Sequence, residues 1–162
     1  MKRIGIITAL ILAGAATTSL AKKKDLPEDA FVFDHVSCTG AANEIRIVVT
    51  GVEQSAGLVT ADLFPNKQDG FLRGRGRLHQ VRFAAKAPVT KFCIQAPEPG
   101  LFAMSAYHDE NANTKFDKTG LGLPAEPWGI SNNPKVRFGP PPVEKALFEV
   151  GDNPARVHIK LN

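Results

Sequence analysis

Between Asp109 and Asp117 the chain places oxygen-bearing side chains at alternate residues: Asp109, Asn111 and Asn113, then Asp117. Hard oxygens at that spacing converge on one cation when the backbone coils around it, which is how a Ca²⁺ loop gathers about six to eight ligands. Counted as an EF-hand-like loop, these residues fill positions one, three, five and nine, and Lys115 stands at position seven, where a backbone carbonyl serves. The pattern is partial. Position six, normally the glycine of the sharp turn, is Thr114, and position twelve, normally a bidentate Glu, is Gly120. Glu110 or Glu126 would have to fold back to supply the missing carboxylate. The alternative needs no ion: Asp and Asn side chains bond their own backbone in successive Asx-turns.

His108, beside Asp109 and Glu110, brings acid–base chemistry into the same stretch,. A small hydrolase acting on an envelope polymer or a small molecule through His108, Asp109 and Glu110 is the enzymatic alternative. The chain has no GxSxG, no HExxH and no phosphate-cradling glycine loop,. Neighbouring strand residues also point to opposite faces, so a structural histidine at the loop edge is the preferred reading. Downstream stands Trp128, the only tryptophan. Packing into the sandwich is its preferred role and an exposed ligand anchor the other. His108, Glu110, Glu126, Trp128 and Asn132 form the candidate binding set beside the metal set Asp109, Asn111, Asn113, Lys115 and Asp117.

All of these residues sit in one long aperiodic run, and a run of that length in a compact domain is functional or disordered. Six of the twelve prolines lie between His108 and Pro142, which lowers the entropy lost on ordering. An ordered, working loop over 108–142 is therefore expected. The elements that must hold it are short strands. Ile45, Ile47 and Val49 repeat with period two, as do Thr90, Phe92 and Ile94, and Val157, Ile159 and Leu161,. Further runs cover 30–37, 57–64, 101–107 and 146–150, with turn chemistry at Gly151-Asp152-Asn153-Pro154,. About seven strands with no sustained helical period predict an all-β antiparallel sandwich, a small barrel being the nearest competitor.

The chain opens Met1-Lys2-Arg3, runs apolar from Ile4 to Ala16 and reaches Ser19-Leu20-Ala21 before three lysines. That is the pattern of a secretory signal peptide cleaved after Ala21. Its apolar run of 13 residues falls short of the roughly 20 that a stable spanning helix needs. A retained anchor is the alternative. Residues 22–29 read as a charged tether and 30–162 as one domain. Loss of Lys2 and Arg3 leaves 18 basic against 16 acidic side chains, a balance of +2 rather than +4. Such a chain carries no nucleic-acid footprint. The Arg73-Gly74-Arg75-Gly76-Arg77 run is correspondingly read as a solvated loop, with contact to an anionic glycan or phospholipid as the second choice. Cys38 and Cys93, the two cysteines, suit a structural disulfide in an exported protein, two buried thiols being the alternative. A bridge closing that loop would be worth roughly 4 kcal/mol on the chain-entropy account.

From Gly100 to Val150 the sequence resembles a bacterial secreted family catalogued as domain of unknown function 2141. The likeness rests on His108-Asp109-Glu110-Asn111, Asn113, Asp117, Gly122, Pro124, Glu126, Gly129-Ile130-Ser131-Asn132-Asn133 and Gly139-Pro140-Pro141. It departs at Thr114, where the family usually has Gly, and extends more weakly over the preceding strands. The resemblance implies a transthyretin-like or immunoglobulin-like sandwich in the bacterial envelope and no established activity. A hydroxyisourate-type hydrolase would end in Tyr-Arg-Gly-Ser, whereas this chain ends His158-Ile159-Lys160-Leu161-Asn162. The expectation is a periplasmic or secreted, monomeric, non-enzymatic binding or accessory module for an unidentified ligand, with Ca²⁺ as its candidate cofactor and no membrane span after cleavage.

Overall fold

The computed structural model describes residues 38–136 and 139–162. The signal peptide expected over 1–21, the tether expected over 22–29 and the strand expected over 30–37 lie outside the described residues. Eight strands occupy the remainder: β1 (Glu44–Thr50), β2 (Leu58–Pro65), β3 (His79–Ala84), β4 (Val89–Gln95), β5 (Gly100–Asp109), β6 (Trp128–Ile130), β7 (Phe148–Val150) and β8 (Ala155–Lys160). They form a three-stranded sheet ordered β4-β1-β8 and a five-stranded sheet ordered β3-β2-β5-β6, with β7 also paired to β5.

The apolar period of two dictates how the sheets face each other. Ile45, Ile47 and Val49, Phe92 and Ile94, and Val157 and Ile159 point from the small sheet into the same core as Val59, Ala61 and Leu63, and Phe102, Met104 and Ala106, from the large one. Phe83 and Phe92 stack across the gap with ring centroids 4.3 Å apart. The all-β sandwich is thus as expected. One pairing departs from a purely antiparallel layout: β1 runs parallel to β8, Ile45 opposite Ala155 through Thr50 opposite Lys160. A parallel pair needs a long crossover, and here nearly the whole domain lies between the two strands. The disulfide reading holds, Cys38 being bonded to Cys93 on β4 with a Cα separation of 5.3 Å.

β5 is the spine of the larger sheet. One edge pairs with β2 from Leu58–Asp109 to Pro65–Phe102. The other edge is shared, β7 meeting Gly100–Phe102 and β6 meeting Ser105–Tyr107. Two of its outward residues, Ala103 and Tyr107, are also buried, so part of this face has a cover. Phe64 and Ala103 pack there with Phe71, Ile130, Val143 and Ala146 in a second cluster. The segment following β5 therefore folds back over the sheet as a roof. Among the described residues, no helix is long and apolar enough to cross a membrane.

Two glycines mark where backbones press together. A Cβ on Gly57, at φ +72°, would sit 2.1 Å from the Asp109 carbonyl oxygen, and one on Gly129 would sit 2.3 Å from that of Lys160. The first lets the turn before β2 close under the end of β5. The second lets β6 lie against β8 and so join the two sheets, helped by reciprocal backbone bonds between Trp128 and Asn162.

Candidate functional site

The 108–142 excursion leaves the scaffold at two fully buried residues, His108 and Asp109. They end β5 rather than begin a loop, and alternation sends them to opposite faces. The His108 Nε2 lies 2.7 Å from the Ala56 carbonyl oxygen. Its Nδ1 stands 3.8 Å from Glu110 Oε1 and has no hydrogen-bond partner among the described residues. Of His108, Asp109 and Glu110, only Glu110 reaches solvent.

The Asp109 carboxylate organises the turn. Its Oδ1 accepts the Asn113 N–H at 3.0 Å and its Oδ2 the Thr114 N–H at 2.7 Å. The Asn111 Oδ1 accepts the N–H of Asn113, and the Asn113 Oδ1 that of Lys115. The Asp117 Oδ2 gathers the amide N–H groups of both asparagines, at 2.9 and 2.7 Å. These are the Asx-turns anticipated from the sequence. The sharp turn forms without its glycine: Ala112 and Thr114 take φ values of 55° and 64°, a region that side chains other than Gly, Asn and Asp seldom enter.

Glu126 folds back onto the turn. Its Oε2 accepts the Asp117 N–H at 3.1 Å, and its Oε1 is buried without a hydrogen-bond partner among the described residues. Burial first, and then the charges of Asp109, Asp117 and Glu110, push its carboxyl above the usual range against the pull of the Asp117 bond. An unpartnered buried carboxylate oxygen is costly, and a cation relieves both that cost and the crowding of like charge. The donors are the hard oxygens that Ca²⁺ prefers, and an amide oxygen already accepting one bond keeps a second lone pair. Among the described residues, no three His, Cys, Asp or Glu side chains are grouped so as to hold a metal ion by themselves. An ion here would therefore lean on the asparagine amides and backbone carbonyls as well.

The remaining predicted residues divide between structure and surface. Asn132 is a clip, its amide donating to the Leu147 carbonyl at 2.6 Å. Next to it, fully buried Ser131 donates to the Ala146 carbonyl at 2.6 Å and accepts the Met104 N–H at 2.9 Å, sewing the roof to β5. Trp128 is half-buried on β6, neither core nor free. Its ring lies 6.5 Å from that of Phe116, itself 5.0 Å from Tyr107.

Those three rings line a groove of about 750 Å³ between the outer face of the large sheet and the roof. Sequence reasoning missed it. Arg73, Arg77, Arg82 and Lys118 line it, and among the described residues Asp62 is the one carboxylate that does. The Asp62 Oδ1 is held by Arg77 at 3.2 Å and by the Gln80 amide at 2.8 Å. Burial pushes the Tyr107 phenol above its ordinary value, so it stays neutral. The arginine-glycine run, taken as a solvated loop, forms a short 3₁₀ turn over Gly74–Gly76. Its Arg75 pairs outward with Asp69 at 2.5 Å, while Arg73 and Arg77 flank the groove. The one long-range sequence signal was the apolar residue on both faces of β5, which implies a covered sheet.

No curated protein and no solved structure matches the chain. A family model described as an uncharacterized protein conserved in bacteria, domain of unknown function 2141, matches residues 47–158, a span that includes β2 to β7, the acidic turn and every residue that lines the groove; the chain belongs to that family.

Proposed function

We propose that this protein is an exported, non-enzymatic binding module of the bacterial envelope whose working part is the 108–142 excursion, with Ca²⁺ taken up at the turn between Asp109 and Glu126. A rigid scaffold that displays an ordered loop is a common way to build a binding site. The observation that carries the reading is the Glu126 carboxylate, buried with one unpartnered oxygen beside the Asp109–Asp117 turn. The bond from Asp117 uses one carboxylate oxygen, and a bound cation would use the other. The hydrolase reading is weaker, because the His108 ring and the Asp109 carboxylate are sealed from substrate.

The test is thermal unfolding of the mature chain in excess Ca²⁺ and again in chelator. An ion that binds only the folded form at about a hundred times its Kd adds about 2.7 kcal/mol, which for a domain of this size is a rise of roughly 5–15 °C. Glu126→Gln, which keeps the shape and removes the charge, should abolish most of the rise. An unchanged midpoint at millimolar Ca²⁺ ends the calcium part of the proposal.

A further inference from the structure

We infer that the groove under the roof binds a small organic anion with an apolar body, its head group meeting the arginines and its body lying against the Tyr107, Phe116 and Trp128 rings. The inference deepens the binding reading above and does not depend on the ion. Three observations carry it. The first is size: about 750 Å³ lies within the range of roughly 300–1,000 Å³ typical of small-molecule sites. The second is charge. Four cations face one carboxylate, and that carboxylate is already engaged by Arg77 and Gln80. Arg73 and Lys118 have no ion-pair partner among the described residues. Cations gathered at a concave surface raise the local concentration of anions and form charge-assisted bonds with carboxylate or phosphate.

The third is the apolar lining. Beside the polar Gln80, Ser105 and Thr114, the lining carries the three aromatic rings with Leu72, Leu123, Pro124 and Pro140, and the apolar surface continues outward at Leu123 and Val136, which are 60% and 39% exposed. Inorganic anions alone would leave this surface wet, and uncharged hydrocarbon would leave the cations uncompensated. An amphiphilic anion satisfies both halves at once.

Trp128, as the only tryptophan, reports on the groove directly. The mature chain in chelator is titrated with decyl phosphate below its micelle concentration, with decan-1-ol, with inorganic phosphate and with phosphatidylglycerol vesicles, following Trp128 fluorescence. Decyl phosphate should give a saturable one-to-one response at least about tenfold tighter than either half-ligand, each tenfold being about 1.4 kcal/mol. Arg73→Gln with Arg82→Gln should weaken it by a further tenfold or more, with the circular dichroism and melting midpoint unchanged. Arg73→Gln alone, at an exposed residue without an ion pair, guards against a folding defect in the double variant. Four results overturn the inference: no saturable response to millimolar decyl phosphate, equal binding of decanol or phosphate, indifference to both arginine changes, or a response to vesicles only. A Ca²⁺-dependent melting shift without decyl phosphate binding sinks this inference and leaves the ion site standing. The converse result leaves the groove and removes the ion.

Discussion

The two faces of the five-stranded sheet are covered by different means. On the inner face, Val59, Leu63, Phe102 and Met104 meet the small sheet in one continuous apolar core. On the outer face, a smaller cluster around Phe64 and Ile130 covers only part of the surface, and the rest of the roof is tied down by polar clips such as Ser131 and Asn132. Apolar burial is non-directional and scales with area, so the inner face closes completely. Hydrogen-bonded clips are directional and local. They hold a segment at chosen points and leave space between them, which is how a groove survives on the outer side of the sheet. The scaffold thus supplies stability, and the roof supplies shape.

The sharpest test of that division is Phe92→Ala. It removes a fully buried ring from the interior and from its stack with Phe83. The expected cost is about 3–5 kcal/mol, seen in chemical denaturation as a shifted midpoint with unchanged slope. A loss under 1 kcal/mol would mean the inner core does not dominate.

Next comes Glu44→Gln, at the start of the scaffold. The buried carboxylate accepts N–H groups from Thr39, Gly40 and Arg46 at 2.5–2.9 Å. Burial alone would raise its pKa, but these bonds more than offset that and hold the carboxyl below the ordinary 4.5. A depressed folded value gives stability that is present above the unfolded value and lost as pH falls through the folded one. The wild type should therefore lose this contribution below pH 4.5. The variant should be about 1.5–3 kcal/mol less stable at neutral pH and show a shallower acid decline. Parallel pH curves for the two proteins would contradict the assignment.

The smallest effect is expected at Ser131→Ala, which orphans the Met104 N–H and the Ala146 carbonyl. About 1–3 kcal/mol is lost if the roof unfolds with the scaffold. Because the roof has its own clips, most of the loss should instead appear as faster proteolysis within 110–127 and altered Trp128 emission, with global unfolding little changed. A large global loss with no local loosening would show that roof and scaffold are one cooperative unit.

Legibility in the sequence follows the range of the interactions. The apolar triplets of β1, β4 and β8 alternate over enough residues to announce themselves, and the Asx-turns of Asp109, Asn111 and Asn113 close within five residues. β3 escaped because its alternation is only two apolar residues long, Val81 and Phe83, and an arginine-glycine run precedes it. β6 escaped because three residues are too few to show any period.

By itself, then, the sequence determined the two-residue period that makes an all-β chain, the turn residues between strands and the local hydrogen bonding of the acidic turn. Each depends on neighbours a few residues apart. The tertiary structure alone decided that β8 would lie parallel to β1, that Glu126 would bury its carboxylate against Asp117, and that Arg73, Arg82, Tyr107 and Trp128 would share one groove. Those meetings join residues distant in the chain. They are settled by which sheet faces must be covered and where covering segments happen to cross, and no local pattern encodes that.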